Sequence, residues 1–241
     1  MKYAVPPPPY YTLMIAGSDE VFPINRVFCV GRNYAAHARE MGKDPDREPP
    51  FFFMKPACAV VAVSEQGIDI PYPPMTGNFH HEIELVVTIG KGGSNIPEAH
   101  ALEHVHGYAV GLDMTRRDLQ LDARDKGRPW DFGKSFAGSA PIGTVHTLES
   151  IGHLSSAPIS LTVNDQPRQS SDISKLIWSV AESIAYLSRY ETLQPGDIIM
   201  TGTPEGVNAV VPGDVMRGHI DGLSDITVRV TAAPPNGATN G

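Results

Sequence analysis

Gly77-Asn78-Phe79-His80-His81-Glu82-Ile83-Glu84-Leu85-Val86-Val87 reads as a β-strand with two acids in it. Side chains alternate faces along a strand. Ile83, Leu85 and Val87 then point into a core, and Glu82 and Glu84 point together the other way. Two carboxylates held so close repel each other. They call for a cation between them or a proton on one of them. A solvated polar face on an edge strand would give the same pattern.

The chain around this stretch has 241 residues, enough for one large domain with a sizeable core. Hydrophobic residues make up 41% and charged residues 19%, which is the balance of a folded globular protein rather than a disordered one. The net charge of −8 argues against nucleic acid or an anionic membrane as partner. No apolar run is long enough to span a bilayer, and Met1 to Pro9 lacks the apolar core of a signal peptide, so a cytoplasmic protein is expected. Cys29 and Cys58 sit in apolar surroundings and read as buried free thiols.

Twenty-three glycines and 22 prolines punctuate many short apolar runs, which predicts a β-rich fold with many turns. Residues 1–20 are expected as an N-terminal extension, 21–231 as a single catalytic domain and 232–241 as a disordered tail. Several segments predict helices. Thr115 can cap one running from Arg116 to about Lys126. Ile173, Leu176, Ile177, Val180, Ile184 and Leu187 recur at helical spacing, which predicts a helix over 172–189 as packing surface. A short helix from Tyr34 to Met41 would set His37 and Glu40 on one face, within hydrogen-bonding reach. Gly31-Arg32-Asn33 is a turn that could bring backbone close to a ligand.

Taken with Asp113, the acidic stretch offers three hard oxygen ligands, suited to Mg²⁺, Mn²⁺ or Ca²⁺ rather than Zn²⁺. Three protein ligands leave positions open for substrate and water. Spacing alone does not bring Asp113 to Glu82 and Glu84.

Five ordered segments resemble the fumarylacetoacetate hydrolase family. They are Val30 to Tyr34 with His37 and Glu40, His81 to Leu85, Leu112 to Asp118, Gly133 to Phe136, and Gly196 to Val207 with its Thr201-Gly202-Thr203-Pro204-Glu205-Gly206 core. Phe51-Phe52-Phe53 and Leu176 to Glu182 are similar to the short bacterial acylpyruvate hydrolases within that family. The resemblance implies a β-rich α+β fold, a mixed β-sandwich or roll, assembled as a homodimer. It implies Mg²⁺ or Mn²⁺ held by Glu82, Glu84 and Asp113, with Lys134 beside the metal-bound oxygens. It implies His37 and Glu40 as a water-activating pair, and Arg32, Gln120 and Thr203 as substrate-binding residues. The implied activity is hydrolysis of the carbon–carbon bond of a 3-acylpyruvate, foremost fumarylpyruvate to fumarate and pyruvate, as in gentisate-type aromatic catabolism. Oxaloacetate decarboxylation, or isomerisation of an unsaturated 2-oxo diacid, would use the same ligands. A non-catalytic metal-binding protein is a third reading. Arg116, Arg117 and Arg128 are candidates to meet a second substrate carboxylate. His80, His81 and Cys29 read as structural.

Overall fold

The computed structural model describes residues 2–35 and 48–233. His37 and Glu40, with most of the helix expected around them, lie outside the described residues, as does 234–241.

Two mixed sheets form the body. The larger has eight strands. Phe51–Lys55 lies at one edge, followed by Val27–Gly31, Ile198–Met200, Ile83–Ile89, Val105–Leu112, Ala140–Ile142 and Val60–Ala62, with His146–Thr147 also pairing on Val105–Leu112. The second sheet orders Gln166–Asp172, Pro158–Val163, Val215–Ile220, Ile226–Thr231 and Ile68–Pro71. This is the β-rich α+β sandwich or roll that the sequence predicts.

Ile83–Ile89 sits in the middle of the larger sheet, and all seven of its residues are buried. Its alternation serves two cores. Ile83, Leu85, Val87 and Ile89 meet Ile159, Leu161, Met216 and Val228 of the second sheet, closing the sandwich. Val86, on the opposite face, packs with Val27, Cys29, Val60, Ala140, Ile142 and Met200 of its own sheet, so the sheet curls over a second core. Glu84 shares that face and is 2% exposed. The solvated edge-strand reading of the two acids is thereby overturned.

Three local expectations are corrected. Gly77 to Val87 is two strands, because His81 and Glu82 fall between Phe79–His80 and Ile83–Ile89. Phe79–His80 leaves the large sheet to pair with Thr115–Arg116 and Ala209–Val210. The apolar stripe at 172–189 is not one helix. It is a 3-10 turn at Ile173–Lys175, an extended link, and a helix at Val180–Leu187. The link is claimed by the loop before it in space. Tyr34 bridges Leu176, and Asn33 accepts from Ile177 N at 2.8 Å through its carbonyl and from Trp178 N at 2.7 Å through its side chain. Ser179 then starts the helix with a capping box, its side chain accepting from Glu182 N while Glu182 accepts from Ser179 N. Cys58 is exposed, on the turn Ala57–Ala59, and only Cys29 is buried.

Part of the expected N-terminal extension is built into the body. Thr12–Met14 pairs with Val21–Pro23, and Leu13 is fully buried in the second core. Among the described residues no helix is long and apolar enough to cross a membrane.

The helix start at 179 rests on two side-chain bonds and not on the stripe. Ser179→Ala should lower stability by about 1 kcal/mol, the usual loss for a cap, measured as a shift in urea midpoint. No shift would mean that packing alone fixes this start.

Candidate metal centre

Glu82 and Glu84 flank Ile83 at the entry to the central strand, and Asp113 follows the neighbouring antiparallel strand Val105–Leu112. Register brings them together. Ile83 pairs with Leu112, and Asp113 N donates to Glu82 O at 2.8 Å. Carboxylate oxygens of the three residues lie within 4.8 Å of one another, and all three side chains are buried. Among the described residues this is the one cluster of its kind.

Among the described residues, three lysine and arginine side chains surround it. Lys134 Nζ donates to Glu82 Oε2 at 2.8 Å and to Asp113 Oδ2 at 2.6 Å. Lys55 Nζ pairs with Asp113 Oδ1 at 2.8 Å. Arg117 Nη2 pairs with Glu82 Oε1. Glu84 takes a backbone donor instead, Gly202 N at 2.8 Å. Burial pushes the Glu84 carboxyl well above its usual range, and the charges of Asp113 and Glu82 push the same way. Lys134 and the Gly202 N–H oppose them. For Lys134, burial acts to lower the pKa, but Asp113 and Glu82 together outweigh it and the ammonium is held above its ordinary value.

The placement of Lys134 depends on a close helix crossing. It ends the short helix Asp131–Lys134, and that helix packs on Arg117–Asp125 through Gly133. A Cβ at Gly133 would lie 2.8 Å from Gln120 N, closer than real contacts allow. Gly202 faces a similar limit. Its φ is +96°, and a Cβ there would meet that of Asn33 at 2.7 Å.

The three residues expected to touch substrate line the same cleft. Gln120 is buried and accepts from Arg117 Nη1. Thr203 follows Gly202, and Arg32 stands at φ +55°, an uncommon backbone for a residue with a side chain, with its guanidinium 5.2 Å from the centre of the Phe51 ring.

Lys55 and Gln169 were not legible as site residues. Lys55 sits in Phe53-Met54-Lys55-Pro56, which reads as a buried strand running into a turn. It is 1% exposed, donates to Ser139 Oγ at 2.9 Å and to the backbone carbonyl of Lys134, and so ties one cation to the other. Gln169 comes from the second sheet. Its Oε1 accepts from Ile83 N at 3.1 Å and pairs with His81 Nδ1 at 2.9 Å. Its Nε2 donates to Thr203 Oγ1 and Pro204 O, both at 2.8 Å. One buried amide thus joins the acidic stretch to the Thr203 loop.

The residues fit a hard divalent cation. Three buried carboxylates converge, and their oxygens are the donor type Mg²⁺ and Mn²⁺ prefer.

Gln169→Leu leaves Ile83 N–H without its acceptor. It should lower stability by about 1–3 kcal/mol and weaken Mn²⁺ binding about tenfold, read by denaturation and by calorimetric titration. Unchanged Mn²⁺ affinity would separate Gln169 from the acidic stretch. The imidazole of His80 is held at about 4, first by burial and then by the nearby Arg117 charge. Between pH 6.5 and about 4 the folded protein therefore binds fewer protons here than the unfolded chain, and stability falls as pH drops through that window. His80→Asn should flatten this part of the urea-midpoint profile against pH. A profile as steep as that of the parent would contradict the assignment.

Comparison with known proteins finds relatives along nearly the whole chain. Residues 26–231 match the model for the C-terminal domain of fumarylacetoacetate hydrolase. A fumarylpyruvate hydrolase from a Ralstonia species is 48% identical over 195 residues, covering 80% of this chain and all of the relative. The mitochondrial oxaloacetate tautomerase of Homo sapiens is 42% identical over 204 residues, covering 85% of this chain and 90% of the relative. The crystal structure of fumarylpyruvate hydrolase from Pseudomonas aeruginosa, in complex with Mn²⁺ and pyruvate, superposes with a TM-score of 0.94 at 58% identity, covering 96% of this chain and 100% of that one. With a family model spanning most of its length and relatives this similar, the chain belongs to the fumarylacetoacetate hydrolase family.

Proposed function

We propose that this protein is a metal-dependent hydrolase of 3-acylpyruvates, with fumarylpyruvate, split to fumarate and pyruvate, as its substrate. The observation that carries the reading is the buried triad of Glu82, Glu84 and Asp113, which lines one cleft with Lys134, Gln120 and Thr203. The Ralstonia relative and the Pseudomonas complex with Mn²⁺ and pyruvate support it.

Glu82, Glu84 and Asp113 would hold Mg²⁺ or Mn²⁺, whose charge would polarise the oxygens of a 2-oxo acid and stabilise negative charge on them. Lys134 has three N–H donors. Two go to Glu82 and Asp113, leaving one for an oxygen of the departing pyruvate. Gln120, Thr203 and Arg32 orient the substrate. His37 accepts the proton of the attacking water on an imidazole nitrogen, and Glu40 fixes its tautomer and supports the imidazolium. Water adds to the acyl carbonyl carbon. The bond to the pyruvyl methylene then breaks, its electron pair passes to that methylene carbon, and a proton follows. The homodimer and the cytoplasmic setting belong to the same proposal.

The human relative supports a second reading, tautomerisation of oxaloacetate. That reaction moves a proton between carbon and oxygen and needs no attacking water. Oxaloacetate decarboxylation shares this feature.

His37→Ala should abolish hydrolysis of fumarylpyruvate while Mg²⁺ still binds. The assay is loss of the enol absorbance of fumarylpyruvate, maleylpyruvate and acetylpyruvate, with oxaloacetate beside them, with Mg²⁺ and after chelation. Full hydrolysis by the variant removes His37 from the mechanism. Turnover of oxaloacetate alone favours the second reading.

A further inference from the structure

The cleft has two walls that both lead away from the carboxylates to an arginine. One is the helix Arg117–Asp125. Arg117 is bound to Glu82, and Gln120, Leu121 and Arg124 line the cleft beyond it. Seven residues are close to two full turns, so Arg124 lies on the face of Arg117, about 10 Å further along. The other wall is aromatic. Lys134 Nζ lies 5.2 Å from the centre of Phe53, Phe53 is 5.7 Å from Trp130, Trp130 is 5.4 Å from Phe51, and the Arg32 guanidinium is 5.2 Å from Phe51.

Arg116, Arg117 and Arg128 are otherwise placed. Arg117 is held by Glu82 and Gln120. Arg116 stacks 4.2 Å over Phe136 and donates to Phe132 O at 3.3 Å. Arg128 does not line the cleft itself but a depression on the other side of the aromatic wall, with Phe51, Phe53, Trp130 and Asp131. Arg124 remains. Among the described residues its side chain pairs only with its neighbour Asp125, at 2.9 Å and with Asp125 largely exposed. Such a contact is weak and engages one oxygen, so most of the five guanidinium donors are left for a ligand.

We propose that Arg124, opposite Arg32, is the specificity-determining residue that binds a second carboxylate at the far end of the substrate. The cleft then selects a 2-oxo acid whose acyl chain ends in a carboxylate and is apolar between its ends. Phe53, Leu121 and Trp130 line that middle section. A seven-carbon dianion such as fumarylpyruvate spans about 7–8 Å at C–C bonds near 1.5 Å, which the long Arg124 side chain reaches from its turn of the helix. A bidentate fork on a planar carboxylate gives direction as well as charge.

The inference rests on the acylpyruvate reading, and two measurements keep their failures apart. In the first, kcat/KM of Arg124→Met is compared on fumarylpyruvate and acetylpyruvate. The ratio between them should fall about tenfold to a hundredfold, as for loss of a charged hydrogen bond, with the change mainly in KM and a smaller fall in Arg124→Lys. Arg128→Met should leave the ratio as it is. Equal losses on both substrates would overturn the proposal. In the second, fumarate and crotonate are titrated calorimetrically into the Mn²⁺-loaded protein. The parent should bind the dicarboxylate more tightly, and Arg124→Met should remove the difference. A difference that survives in the variant overturns the role of Arg124. Absence of turnover together with this binding pattern would reject the hydrolase reading and leave the arginine's role standing.

Discussion

Six ionisable side chains packed into one buried cluster are the constraint on which the structure depends. Glu82, Glu84 and Asp113 contribute three formal negative charges, and Lys55, Lys134 and Arg117 three positive ones. Burying charges is expensive, and only close pairing with further hydrogen bonds offsets the loss of water. The fold supplies those partners from five separate elements, and removing any one would strand a charge. Counted with all three carboxylates ionised, the state a bound cation would favour, the six described side chains sum to zero. A divalent cation would bring it to plus two, and the electrostatic demand is then for a doubly negative ligand. A 2-oxo acid that leaves as an enolate carries two negative charges at this end. Charge balance and the chemistry of the proposed reaction therefore make the same demand.

The same cluster explains why the central strand starts where it does. Glu82 cannot continue the ladder of Phe79–His80 and also reach Asp113, so the chain changes sheets at His81–Glu82. Gln169 accepts the Ile83 N–H at that corner, doing for the backbone what a neighbouring strand would do. Because its amide nitrogen also holds Thr203 and Pro204, the geometry of the carboxylates and that of the Thr203 loop are not independent. Gly202 couples them a second time. Its N–H points at Glu84, and only a residue without Cβ passes Asn33 at that distance.

What the sequence reveals follows from where each residue's constraint comes from. Alternation in Ile83-Glu84-Leu85 is local, so the buried face and the oddity of two acids could be read directly. The helix at Arg117–Asp125 was legible in its composition but not in its start: Thr115 does not cap it, since Thr115–Arg116 is a strand and the Thr115 hydroxyl donates to Asp113 O. Asp113 joining Glu82 and Glu84 was legible only through the resemblance of ordered segments, since register between strands leaves no mark on spacing. The 172–189 stripe misled because period 3.6 reports burial on one side, and a bent segment over a core can bury the same residues. Ser179, with Glu182 three residues on, was the local sign of where the helix begins. Lys55 and Gln169 carried no such sign. A lysine ending an aromatic strand and a glutamine in a polar hairpin acquire meaning only from partners 58 and 86 positions away, Asp113 and Ile83.

Arg124 belongs with these for a different reason. Its spacing from Arg117 is plain in the sequence, but two arginines seven apart on a helix usually mark a solvated face. The distinction came from partners. Arg117 is consumed by Glu82, which anchors that end of the helix to the carboxylates, and this fixes where the next two turns must lie. Arg124 is thereby held at a set distance from the triad by rigid helix geometry, while its own side chain stays weakly engaged. A charge positioned by the scaffold and, among the described residues, met only by an exposed neighbour is what selection by length requires. A carboxylate at the wrong distance would leave both it and the guanidinium unpaired, and that penalty rejects the wrong ligand more strongly than contact favours the right one.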